Sequence, residues 1–349
     1  MKITKKKIAE LNKCYSIAPL IRNGRFHFLV AAEKTNPCYL FGEDGELLET
    51  VWNEPGGVMT MVQVPNSEGQ FLATHKFYSP NDSAEAKIVI ATPRAKNDWE
   101  IRTLVDAPFV HRFGILERNS VNYLIVCCLK SGHKFKDDWS MPGKVYAAVL
   151  PEDLSGFDSN RQLPLKEIKA GLLKNHGFSC YCDNGVNTAL VTAEEGVFQF
   201  FPPESPEKGW TIRQLFDKPV SDAVLCDFDG DGEPELGCIG PFHGDNLYIC
   251  HKNADGKFEE VWKYPEPLEM LHATYACTIL GKPAWIVGHR KGERNLMLIT
   301  YENGGYKATI IDRDCGSANA MHFVNSSGED IIISANRETN EIAMYTIAP

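Results

Sequence analysis

Several things are scarce in this chain, and each scarcity excludes a class of function. No stretch of its 349 residues approaches the roughly 18 consecutive apolar residues of a membrane-spanning helix. The basic start, Met1 to Lys7, runs into Ile8-Ala9-Glu10-Leu11-Asn12-Lys13, where an export signal would need an apolar core. Cytoplasmic residence is therefore expected. Zinc-type Cys-x-x-Cys pairs are missing, and the eleven cysteines are odd in number. Most of them, among them Cys127, Cys128, Cys226, Cys238, Cys250 and Cys277, lie inside apolar runs, where cysteine behaves as a small hydrophobe. Reduced thiols are expected, and the lone pair Cys180 and Cys182 is too little for a metal site. Positive charge is also in deficit: the net charge of -10 argues against a nucleic-acid surface. Neither a nucleophile elbow nor a phosphate-cradling glycine loop is present, which disfavours acyl transfer and nucleotide hydrolysis.

What is there begins with Asp227-Phe228-Asp229-Gly230-Asp231-Gly232-Glu233-Pro234-Glu235-Leu236. Asp227, Asp229 and Asp231 can each offer a carboxylate oxygen, Glu233 its carbonyl and Glu235 a closing carboxylate. Together they form an oxygen cage suited to Ca2+, which takes six to eight such ligands. An EF-hand would need a glutamate at position twelve between two helices, but Cys238 stands there. The flanks, Ala223 to Cys226 and Leu236 to Ile239, read as strands. The loop resembles that of FG-GAP (VCBS-type) repeats, which implies a β-propeller and a structural calcium rather than chemistry.

Self-similarity supports a propeller. Apolar runs that turn polar recur seven times, at Phe28–Glu33, Phe71–Lys76, Leu124–Lys130, Ala189–Glu194, Leu236–Gly240, Trp285–Arg290 and Ile331–Arg337. Asp44-Gly45, Asp255-Gly256 and Gly304-Gly305 supply the positive φ of tight hairpin turns behind them. The expectation is one all-β domain over residues 1–349, a seven-bladed β-propeller of four-stranded antiparallel blades. An insertion at about 151–178 joins blades three and four, and Leu163 to Leu173 within it reads as a short amphipathic helix.

In such a ring, the start of each innermost strand and the loop after the second strand open on one face. Residues about 17 apart then meet: Ser16 with Glu33, Met59 with Lys76, His111 with Lys130, Asp222 with His243, His272 with His289 and Arg290, Asn319 with Arg337. The pooled side chains form a basic mouth suited to an anionic ligand. His111, His272, His289 and Tyr78 are the candidate proton-transfer residues. His75, Lys76, Lys130, His133, His243, Arg290 and Arg337 are candidates to bind substrate, the arginines by clamping a carboxylate. Three imidazoles converging from His111, His243, His272 and His289 would hold a divalent transition metal with an open position.

The fold-level likeness to seven-bladed sugar enzymes such as oligogalacturonate lyase and aldos-2-ulose dehydratase implies a lyase, dehydratase or epimerase. Its substrate would be a small anionic or keto sugar, attacked by proton abstraction. The competing expectation is a non-catalytic platform for a glycan or protein partner, which needs an apolar patch on the rim. Trp99, Trp139, Trp210 and Trp262 are instead spread along the chain.

Overall fold

A computed structural model describes residues 1–349. Twenty-eight strands, β1 to β28 in chain order, build seven four-stranded antiparallel sheets. Seven strands lie innermost: β2 (Cys14–Arg22), β6 (Met61–Gln63), β10 (Val110–Arg118), β14 (Phe178–Asp183), β18 (Asp222–Cys226), β22 (Leu271–Ile279) and β26 (Ser317–Val324). Neighbouring blades touch around the ring through or beside their inner strands, β10 against β7 (Phe71–His75) and β15 (Val186–Ala193) and β26 against β2 included. The seven-bladed propeller expected from the repeat is therefore present.

The ring closes with a strand that sequence reading did not place in a blade. β1 (Lys2–Glu10) pairs antiparallel with β28 (Glu341–Ala348) and forms the outer strand of the seventh sheet. First and last segments thus share one ladder, and loss of β1 would expose the hydrogen-bonding edge of β28.

Each blade buries both faces against its neighbours, which explains the apolar second strands. Trp52 of blade one stacks on Phe71 of blade two. Phe28 of blade one meets Phe323 of blade seven. Trp285 is wholly buried among residues of blades five and six. Burial of each such aromatic contributes on the order of 2–3 kcal/mol.

The expected helix at 163–173 is a correction to make. The structure has no helix, and so none long and apolar enough to cross a membrane. Lys166–Leu172 is β13, the outer strand of blade three, paired with β12 (Pro142–Val149). Two register shifts interrupt that pairing, between Gly143 and Lys144 and between Val145 and Tyr146. Bulges break the period of two. Apolar positions at 165, 168 and 172 then fall three and four apart, which imitates a helix.

Candidate functional site

A recurring backbone device places one side chain per blade at the same end of the axis. Lys13, Gly57, Phe109, Lys174, Met270 and Gly316 all have positive φ. Two residues beyond each comes the start of an inner strand, at Tyr15, Met59, His111, His176, His272 and Ala318. In blades one, three, six and seven that residue is the extra one at a β-bulge, skipped in the pairing of the first two strands. A bulge re-aims the side chain it carries. Asp222, the first residue of β18, occupies the matching place in blade five. Four of these, Lys13, Phe109, Lys174 and Met270, are not glycine, a cost the site tolerates, since such strain persists only where the surroundings enforce it.

Three imidazoles meet there. The coordinating nitrogens of His176, His243 and His272 all lie within 4.8 Å of one another. His176 Nε2 and His243 Nε2 are 3.2 Å apart. Two tetrahedral zinc ligands at about 2.05 Å from the ion would stand about 3.3 Å apart, so the spacing matches a shared cation. His111 packs against His176, ring centroids 4.4 Å apart.

Hydrogen bonds fix the ring orientations. His272 Nδ1 lies 2.7 Å from the Ala318 carbonyl, and His111 Nδ1 lies 3.1 Å from the His176 carbonyl. His176 Nδ1 lies 2.9 Å from Asp222 Oδ2, which also accepts from the Ser221 hydroxyl at 3.0 Å. Carbonyl and carboxylate oxygens only accept, so each Nδ1 carries the proton and each Nε2 keeps its lone pair. That is the arrangement of a metal-ligating histidine with its oriented second partner. The Tyr15 hydroxyl lies 3.1 Å from His272 Nε2 and donates to it.

Burial sets the protonation. It pushes His111 and His272 well below the usual imidazole range, aided by the neighbouring imidazoles and by Arg112 and Arg290. Burial lowers His243 to about 2, with His176 next in effect. Burial also raises Tyr15 to about 12, against the opposing pull of Arg112. At neutral pH His111, His243 and His272 are therefore neutral and the Tyr15 phenol keeps its proton.

His272, Asp222 and Arg112 face a cavity of about 410 Å³ that runs down the axis. Its walls include Pro19, Val62, Ile115, Val224, Tyr275, Ala276 and Met321, with Thr60, Ser179, Thr274 and Asn319 as polar points. The Arg112 guanidinium donates one bond to the Met59 carbonyl at 2.6 Å. On the opposite side Phe242 stacks on His243 at 4.1 Å, and Trp139 meets Phe242 edge-on at 5.5 Å.

The other expected residues are dispersed. His75 is buried against Trp52, its Nε2 without a partner, and burial lowers it to about 3. His289 accepts the Asn295 N–H at Nε2 and donates Nδ1–H to the Lys291 carbonyl, which uses both nitrogens structurally. Lys76 pairs with Glu85. Tyr78 sits on the loop after β7 (Phe71–His75), its phenol raised by burial. His133 packs edge-on against Phe109. Lys130 is buried under Trp139, 4.2 Å from the ring centroid, and donates to the Asp138 carbonyl. Arg290 and Arg337 both hold Glu338, and Arg337 also holds Glu33, so neither guanidinium is a free clamp. Of the residues expected from sequence, the axis gathers His111, His243 and His272. Asp222, expected to meet His243, and the neighbouring Arg112 lie there too, and the structure adds His176 and Tyr15.

The acidic loop lies between β18 and β19 (Glu235–Gly240). Asp229, Asp231 and Glu235 bring one carboxylate oxygen each within 4.8 Å of the others and of His251. Asp227 spends its oxygens on the backbone N–H groups of Gly230 and Gly232. The Glu233 carboxylate pairs with Lys252.

Comparison with known proteins supports the fold alone. No family model matches the chain, nor does any curated protein, so neither the likeness to FG-GAP repeats nor that to the sugar lyases is supported beyond the propeller fold. Among solved structures, the chain is similar to streptogramin B lyase, with TM-score 0.59, 11% identity, and coverage of 98% of this chain and 97% of that one. It is also similar to BBS1N in its complex with ARL6DN, with TM-score 0.60, 12% identity, and coverage of 99% and 95%. The Dos1 propeller matches with TM-score 0.57 at 8% identity over 95% of this chain and 77% of that one.

Proposed function

We propose that the protein is a metal-assisted enzyme of the lyase or dehydratase type, acting on a small carbonyl-bearing anion such as a sugar acid. The observation that carries this reading is the convergence of His176, His243 and His272, with two of the three Nδ1 protons tied down. A divalent cation on these three nitrogens would supply positive charge beside a carboxylate or carbonyl oxygen.

The remaining roles follow from the residues. Arg112, at the polar end of the cavity, binds the carboxylate. His111 offers a neutral Nε2 lone pair to take the proton α to the carbonyl. As the C–H electron pair becomes the new double bond, the β-substituent leaves with its bonding electrons and takes the Tyr15 proton. The cavity of about 410 Å³ suits a monosaccharide-sized molecule rather than a polymer. The fold also occurs in streptogramin B lyase, by name a lyase, which agrees with this reading at the level of architecture.

The test is to load metal-depleted protein with Zn2+, Mn2+ or Co2+ and screen small uronates and aldonates for unsaturated or dehydrated products. Turnover that disappears in His272→Ala, with the melting temperature kept, supports the proposal. Failure to bind any of these metals, with no turnover, would leave the platform reading, for which exposed Phe135 and Met141 on the loop after β11 (Val121–Lys130) are the apolar surface near the mouth.

A further inference from the structure

The loop of Asp227 was expected to cage calcium with oxygen alone, yet its geometry includes a nitrogen. Each of three carboxylates commits one oxygen to a backbone N–H. Asp229 Oδ1 accepts from Asp231 N at 3.1 Å, Asp231 Oδ1 from Glu233 N at 2.8 Å, and Glu235 Oε2 from Phe228 N. The loop's own bonds thereby orient each carboxylate and leave its second oxygen available.

His251, near the end of β20 (Asn246–Lys252), closes the group from a strand of the same sheet. Its Nε2 lies 3.0 Å from Asp231 Oδ2 and 3.5 Å from Glu235 Oε1. Its Nδ1 lies 2.8 Å from the Lys252 carbonyl, so the neutral ring carries its proton there and offers the Nε2 lone pair to the cluster. Glu235 supplies an independent sign of a ligand. Its side chain is 0% exposed, and Oε1 has no hydrogen-bond partner. A buried carboxylate oxygen left without a donor is costly, and such oxygens are ordinarily paired or bound to a metal.

We propose that Asp229, Asp231, Glu235 and His251 form a second metal site, of three oxygens and one nitrogen, that takes a first-row transition cation such as Zn2+ in preference to Ca2+. Imidazole favours such ions, whereas calcium prefers oxygen throughout. Four side-chain donors, one of them an imidazole nitrogen, match the donor number and types of tetrahedral zinc. The site ties the end of β18 to the end of β20 and so fastens the far side of blade five. It stands apart from the axial histidines and does not depend on the chemistry proposed for them.

The test uses the full chain, stripped of metal by chelator and titrated by calorimetry with Zn2+ and separately with Ca2+, alongside His251→Ala and His272→Ala. The expected result is two equivalents of Zn2+ for the wild type and one for each variant. Ca2+ at tenfold excess should fail to displace the Zn2+ that remains in His272→Ala. Zn2+ should also raise the melting temperature of His272→Ala, in which this site alone is filled, and leave that of the double variant His251→Ala/His272→Ala unmoved. His251→Asn restores an all-oxygen set and should shift preference toward Ca2+. The proposal is overturned if His251→Ala keeps both Zn2+ equivalents, or if Ca2+ competes equally with Zn2+ in His272→Ala.

Discussion

The molecule uses imidazole in two settings, and the contrast between them is instructive. At the axis His176, His243 and His272 sit among other imidazoles, and burial with neighbouring cations keeps His243 and His272 neutral. On the far side of blade five His251 sits among carboxylates. There the Lys252 carbonyl and then Asp231 raise its pKa, opposed by partial burial. For His176, His272 and His251 alike, a backbone carbonyl or a carboxylate accepts from Nδ1–H and leaves Nε2 for the cluster. Local tautomer control is thus shared, and the surroundings decide what the free nitrogen does without a metal: burial disfavours its protonation at the axis, whereas at the loop the neighbouring acceptors favour it.

The sharpest way to break this comparison is to remove one axial imidazole. His272→Ala should weaken Zn2+ or Co2+ binding at the axis by at least about 100-fold, since a ligand matters more than the outer partners whose loss costs about 10–100-fold. Substrate turnover should fall with it, and calorimetry with product analysis reads both. Asp222→Asn leaves the ligands in place but removes the carboxylate that holds the His176 Nδ1 proton. Axial affinity should drop by about 10–100-fold, with the loop site unchanged.

Gly177→Ala probes the scaffold. A Cβ there would come within 2.4 Å of Thr192 Oγ1 and 2.5 Å of the Ser221 carbonyl. Overpacking of this kind costs about 1–3 kcal/mol, and it would shift His176 next door. Lower stability in urea, together with weaker axial metal binding, is the expected outcome.

The smallest effect is on pH dependence, where the two settings differ in sign. His111 and His272 have folded pKa values well below the usual 6.5. Below that value the unfolded chain binds protons that the folded chain does not. Stability should therefore fall as pH drops below about 6.5, by about 1.4 kcal/mol per pH unit for each buried group. Glu235 is raised from 4.5 to about 7 by burial. The folded loop holds that proton between the two values while the unfolded chain does not, so its contribution is lost as pH rises from 4.5 through 7. His251, also raised, loses its contribution as pH rises above 6.5. Melting of chelator-treated protein across this range checks the signs: His251→Ala should flatten the loss on the alkaline side, and His272→Phe the loss on the acid side.

Much of this was legible in the chain, for physical reasons. Seven apolar second strands with Asp-Gly and Gly-Gly turns define the repeat because each blade must bury both faces. Matched offsets then place His111, His243 and His272 at one end. His176 escaped because it enters blade four after the long 151–178 insertion, where the spacing loses phase. The available signal was local: Lys174-Asn175-His176 precedes its inner strand as Phe109-Val110-His111 and Met270-Leu271-His272 precede theirs. Offsets alone also grouped His289 with His272. They could not show that Asn295 and Lys291 occupy both nitrogens of His289, since those bonds depend on loop backbone. His251 was invisible as a ligand because it lies twenty residues from Asp231, within another strand, β20.

The most direct test of the axial centre is a cobalt(II) titration of His251→Ala, in which the loop site is disabled, followed by visible absorption. One equivalent bound with the intense bands of a tetrahedral nitrogen-rich site, abolished by adding His176→Ala, is the predicted result. Absence of a bound equivalent in His251→Ala, or an unchanged spectrum after His176→Ala, would contradict a cation shared by His176, His243 and His272.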